Sequence, residues 1–366
     1  MSDPRLAKLA DALINFALGI KAGEELMIAS PVGAEPLLYE VVRAALKAGA
    51  HITTRLGIED LRELELRESS EAQLTHISEI AKFEIDHIDA YLSIRAPRNT
   101  RNLSGIDPKR MSLANAGYHY MLERITERTA KGELRWCVTQ YPTHAAAQDA
   151  GMSLHDYEEF IFNGCLLDQA DPVAAWKAQQ AEQQRIIDYL SKHDSIHVVA
   201  PGTDLTYRVG GRIWVNADGH FNFPDGEVFT GPIEDSVQGT ISFTYPLNHM
   251  GNEVDGIQLT FKDGKAVEAK ARNGAAFLNT MLDMDEGARY VGEVAFGTNY
   301  GVKQFTKNTL FDEKIGGTMH MALGNSYPET GGVNKSGLHW DMVCDLREGK
   351  VYADGELFYE AGHFVI

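Results

Sequence analysis

Cysteine is scarce in this 366-residue chain. Cys137, Cys165 and Cys344 are isolated, odd in number and without CxxC spacing. That argues against a disulfide framework and a thiolate zinc site, and makes reduced thiols in a cytoplasmic protein the expectation. Positive charge is also short: 34 Lys and Arg stand against 52 Asp and Glu, a formal net charge of −18. Nucleic acid and anionic membrane surfaces both require clustered Lys and Arg, so neither is an expected partner. The acidic balance favours cationic ligands, such as the free amino end of a peptide. No apolar run approaches the roughly 18 residues of a membrane-spanning helix. The start, MSDPRLAKLADALINFAL, has Asp3 and a helical period in place of the basic-then-apolar pattern of a signal peptide. Phosphate-cradling loops are missing too. SPVG at 30–33 offers one glycine and reads as a plain strand-to-helix connection.

What remains is an ordinary globular balance, 44% hydrophobic and 23% charged residues, in a length that suits two domains. The first half alternates strands with helices. Strands are predicted at 25–30, 51–56, 90–95 and 134–140. Helices are predicted at 5–20, 34–48 and 107–130, with a polar helical stretch through 60–84. That alternation implies βαβ units around a parallel sheet. Residues 153–192 read as helical. The texture then changes to short alternating strands separated by glycine turns, among them 196–200, 204–209, 213–216, 239–245, 253–261 and 266–272, with one helix near 274–284. The expected fold is an α/β N-terminal domain with a parallel sheet over 1–192, then an α+β C-terminal domain over 193–366.

The second half holds the chemistry. In residues 318–322, TMHMA, His320 shares one face with Thr318 and Ala322 while both methionines take the other. In 338–342, LHWDM, His339 and Asp341 share one face and Leu338, Trp340 and Met342 the opposite one. Alternation of period two marks strands with one face on a core. A histidine and a carboxylate on one strand face form a compact ligand pair for a divalent ion. Glu293 sits in YVGEVAF, where a buried carboxylate is costly unless paired or metal-bound. Glu227 follows the turn PDG, and Glu313 ends NTLFDE. Each residue alone has a plainer role: an exposed glutamate, a hydrogen-bonded core histidine, an imidazole–carboxylate pair, or, for Tyr327 before Pro328, a turn closure. Together they make two histidines and several carboxylates on separate short strands, the inventory of a two-metal site.

At these residues the chain resembles the thermophilic metallo-aminopeptidase family, of the aminopeptidase T and aminopeptidase S type. The resemblance rests on GEVFTGP (226–232), GEVAF (292–296), NTLFDE (308–313), MHMALGNSYP (319–328) and LHWDMV (338–343). It extends into the first half through GEELMI (23–28) and YPTHAAAQDAGMSLHDYEEFIF (141–162). It implies that Glu227, Glu293, His320, His339 and Asp341 hold a dinuclear metal centre, with Glu313 as a further acidic ligand and Tyr327 as the catalytic tyrosine. It implies hydrolysis of the N-terminal peptide bond of short peptides, Glu293 or Glu313 carrying the proton, and a homodimer. The oxygen-rich ligand set suits zinc, cobalt, manganese or magnesium. Two departures, TNYGVKQFTK at 298–307 and Trp340, are expected to reshape the substrate pocket. Two rival readings stand beside this one. The first is a mononuclear iron ring-cleaving dioxygenase of the dihydroxypyridine type, built on His320, His339 and Asp341. The second is a non-catalytic metal- or peptide-binding protein.

Overall fold

A computed structural model describes residues 3–249 and 252–366, apart from the side chains at 108, 116, 117, 119 and 248. The chain divides into two compact units, 3–173 with 219–224, and 174–218 with 225–366.

The first unit is built on a five-stranded parallel sheet. Its order is His51–Gly57, Glu25–Pro31, Ala90–Arg95, Arg135–Gln140, and the short Asn222–Phe223 that arrives from later in the chain. The helix Glu35–Ala48 shows why period reading works here. Pro36 stands in its first turn, Leu37, Val41 and Ala45 are buried at helical spacing, and Gly49 ends it at φ +85°. SPVG leads into it through one 3-10 turn, Val32–Ala34. Two expectations need revision. The helix predicted at 5–20 turns from α-helix (Arg5–Asp11) into a π-helix over Ala12–Ala17. The polar stretch 60–84 folds as three short helices, Glu59–Glu68, Glu71–Leu74 and Glu79–His87. Ser70 and Ser78 cap the second and third, and Ser70 forms a capping box with Gln73, so serine side chains restart the helix where periodicity alone continues it.

The second unit is antiparallel. An eight-stranded sheet runs in the order 265–270, 258–262, 238–242, 203–208, 195–200, 350–353, 356–360, 363–364. A five-stranded sheet has the order His339–Asp345, Thr318–Gly324, Val291–Gly297, Glu227–Thr230, Val215–Ala217. One core joins them. Val294, Phe296, Met319, Met321, Trp340 and Met342 from the small sheet cluster with Val198, Leu205, Ile241, Val351 and Phe358 from the large one. Burial of each such side chain contributes roughly 1.5–3 kcal/mol. The run predicted as one strand at 253–261 is two, Asn252–Val254 and Gln258–Lys262. They part at Gly256, whose φ of +64° a side chain rarely adopts. Among the described residues no helix is long and apolar enough to cross a membrane.

Candidate metal centre

The small sheet turns one face to the core and carries every strand-borne candidate on the other. Strand register fixes this. Glu293, Ala322 and Asp341 fall in one row across three strands, and Phe229, Ala295, His320 and Val343 in the next. Gly324 pairs with His339, and Gly297 with Glu227. Small residues thus sit between the large polar ones, leaving space above the sheet. A bulge at Gly292 sets the facing of Glu293. Val291 pairs with Leu323 and Glu293 with Ala322, so one extra residue stands between them. Without it, alternation would place Glu293 on the face of Val291, which is in the core. Gly292 has no substitute: a Cβ there would lie 2.3 Å from the Asn325 carbonyl oxygen.

The candidates form two groups that share one member. Glu227, Glu293 and His320 offer ligand atoms within 4.8 Å of one another, and so do Glu293, His339 and Asp341. His320 Nε2 lies 3.5 Å from Glu227 Oε2 and 3.6 Å from Glu293 Oε1. His339 Nε2 lies 3.3 Å from Glu293 Oε2 and 3.5 Å from Asp341 Oδ1. Glu293 therefore turns one oxygen to each histidine. These separations are long for hydrogen bonds. Two ligands each about 2.1 Å from one tetrahedral ion stand about 3.4 Å apart, which is the spacing seen here. Glu227 Oε2 and Asp341 Oδ1, both buried, have no hydrogen-bond partner among the described residues. Buried polar atoms left open in this way fit a cation held among them. His339 Nδ1 donates to the Asn325 carbonyl at 2.9 Å, which leaves Nε2 as the free lone pair of the neutral ring. The three residues that the dioxygenase reading places on one ion, His320, His339 and Asp341, fall in different groups.

Glu313 and Tyr327 stand beside these groups. Glu313 follows the short helix Thr309–Asp312 and belongs to neither group. Burial, then the Asp341 charge, holds its carboxyl well above the ordinary range, against the pull of Lys314. Tyr327 packs edge-on against His339, with ring centroids 5.0 Å apart, and tilts against Phe229. Burial and the surrounding carboxylates raise its hydroxyl, so it stays a donor.

Sequence reading passed over Lys314 and Asp225. Lys314 is 1% exposed, and its Nζ contacts Glu227 Oε1 at 2.5 Å, Glu313 Oε2 at 3.1 Å and Asp225 Oδ1 at 3.6 Å. A buried ammonium costs several kcal/mol unless paired, and three carboxylates supply that pairing. By occupying Oε1 of Glu227, Lys314 leaves Oε2 facing His320. Gln183 secures the backbone beneath, donating to the carbonyls of Glu227 and Ala217. The available signal was a lysine directly after an acidic pair and before the glycine turn IGG; Asp225 looked like a turn residue of PDG.

Comparison with known proteins agrees with this chemistry. The sequence profile of the thermophilic metalloprotease family (M29) matches residues 2–364. Aminopeptidase 2 of Geobacillus stearothermophilus is 32% identical, over 97% of this chain and 95% of that protein. Aminopeptidase T of Thermus thermophilus is 30% identical, over 96% and 95%. The solved structure of wild-type AmpT from Thermus thermophilus superposes with a TM-score of 0.86 at 26% identity, over 99% of both chains.

The histidines carry a consequence for metal uptake. Burial disfavours a charged His320, but Glu227 and Glu293 outweigh it and push its pKa up to about 9. Burial likewise opposes charge on His339, and Asp341 with Glu293 pushes it up to about 11. The neighbouring carboxylates thus favour the charged form of both rings, whereas ligation requires their neutral forms. Divalent-ion binding at pH 7 is expected to release about two protons per chain and to tighten as pH rises toward 9. Calorimetric titration in buffers of different ionisation enthalpy checks this; a binding heat independent of buffer would show that the histidines are already neutral in the metal-free protein or take no part in binding.

Proposed function

This chain belongs to the thermophilic metalloprotease family M29, and from that premise we propose that it is an aminopeptidase removing the N-terminal residue of short peptides with two divalent metal ions. One observation carries the reading: Glu293 presents one oxygen to each of two histidines at ligand-sharing distance, so one carboxylate serves two ion positions. Glu227 and His320 complete one position, and His339 and Asp341 the other. When bound, the metal pair supplies Lewis acidity toward the scissile carbonyl and an activated water. Zinc, cobalt, manganese and magnesium all suit the donors.

The chain's own residues do the rest. The acidic face attracts the ammonium of a free N-terminus. Tyr327, protonated and beside His339, donates to the negative charge that develops on the carbonyl oxygen. Glu293 has both oxygens turned to histidines, so Glu313, outside both groups, is assigned to carry the proton to the leaving amine. A homodimer is also proposed, and the first unit supports it. Its edge strand His51–Gly57 and the helix Glu79–His87, joined by the Arg55–Glu84 ion pair, leave Leu56, Ile80 and Phe83 exposed. An open strand edge flanked by apolar side chains is suited to a second copy. The free, buried cysteines accord with a cytoplasmic location.

Release of p-nitroaniline from leucine p-nitroanilide is the direct assay. Activity is expected to vanish on chelation and to return with added divalent metal; activity that survives complete metal removal would refute the proposal. Tyr327→Phe is expected to lower kcat by about 10²–10³ with metal content unchanged. Wild-type turnover in that variant would reduce Tyr327 to a turn residue.

A further inference from the structure

Glu313 stands among the ligand candidates and is not one of them. Its charged neighbours are Asp341, Lys314, Glu227 and His320. They include members of both ligand groups, yet Glu313 belongs to neither group. Its side chain is only 15% exposed, and it lines the same small cavity as His339 and Asp341. A carboxylate so placed is drawn toward any divalent ion bound nearby, because Coulomb attraction is strong where water is scarce. A cation of the chain must hold it back. Lys307, which also lines that cavity, is paired with Glu253 at 3.1 Å. Lys314 is the cation that reaches Glu313, with Nζ 3.1 Å from Oε2.

The ammonium is fixed from both ends. The Lys314 N–H donates to the Phe311 carbonyl at 3.0 Å, and the Lys314 carbonyl accepts from the Asn299 N–H at 3.0 Å. Asn299 Nδ2 donates in turn to the Asp225 carbonyl at 2.8 Å, which ties this segment to the turn that leads into Glu227. At the other end, a lysine has three N–H donors and no acceptor, and three carboxylates surround this one. Glu227 meets it through Oε1 and keeps Oε2 toward His320. Glu313 meets it through Oε2. We infer that Lys314 is a positioning residue that holds Glu313 off both ion positions and so keeps that carboxylate available to carry the proton. One ammonium thereby divides two neighbouring acids into a ligand, Glu227, and a non-ligand, Glu313.

This inference rests on the two-metal aminopeptidase reading, and cobalt-loaded protein separates their failures. Visible absorption per cobalt(II) ion weakens as oxygen ligands are added and the geometry moves from tetrahedral toward octahedral. Spectra, melting curves and leucine p-nitroanilide kinetics are compared for wild type, Lys314→Met, Glu313→Gln and the double variant. With the ammonium gone, the ions are the cations left to Glu313. Lys314→Met is therefore expected to absorb less per bound cobalt than wild type, and its kcat to fall by about 10–100-fold. Adding Glu313→Gln is expected to restore the wild-type spectrum but not the activity, and Glu313→Gln alone to leave the spectrum unchanged. A purely structural lysine would give no such reversal. Lys314→Gln replaces Lys314→Met if the latter does not melt cooperatively, and the Glu313→Gln spectrum decides if neither folds. A wild-type spectrum in folded Lys314→Met, a shift that Glu313→Gln does not reverse, or a shift in Glu313→Gln alone would overturn the role of Lys314. Wild type that binds cobalt but releases no p-nitroaniline would overturn the aminopeptidase reading, with the ligand division still judged by the spectra. Wild type that binds no cobalt would overturn both.

Discussion

A carboxylate buried against a sheet needs donors or cations at its oxygens, and the second unit brings a histidine to each oxygen of Glu293. His320 stands at one oxygen and His339 at the other. Neither ring can reach its place unless its strand keeps register with the strand it pairs, and Glu293 cannot face them without the bulge at Gly292. The apolar face beneath holds that register. Moving one strand by one residue would exchange Met319 and Met321 for His320 in the core, at a cost of several kcal/mol. The hydrophobic core is thus what aims the polar groups.

The same arrangement accounts for the charges around it. Asp225, Glu227 and Glu313 crowd about one ammonium, Lys314, and Glu293 and Asp341 stand about the two histidines. Repulsion among them is only partly relieved by Lys314 and by protons on the histidines. Two divalent ions would replace those protons with firmer pairing. On the proposed ligand assignment, metal uptake would exchange protons on the histidines for ions.

Much of this is legible in the sequence because alternation is a strong signal wherever one strand face is a core. TMHMA and LHWDM give the facing of His320, His339 and Asp341 directly, and the four strands and the flanking helices of the parallel sheet follow from period and glycine stops. Three things escape that reading. The bulge at Gly292 leaves no mark in hydropathy, since VGEVAF alternates equally well without it. Lys314 looks like a solvated charge, because only the tertiary fold brings Asp225 and Glu227 to it from nearly ninety positions upstream. The strand Asn222–Phe223 joins the first unit's sheet beside Arg135–Gln140, a long-range pairing that local pattern does not encode.

The central claim is that one carboxylate, Glu293, serves two metal ions. Metal content per chain, determined by elemental analysis on protein reconstituted with zinc and freed of excess ion, tests it most directly. The account predicts about two zinc ions per wild-type chain and a loss of tight binding at both positions in Glu293→Ala. One ion per wild-type chain, or a Glu293→Ala variant that still holds two, would contradict it.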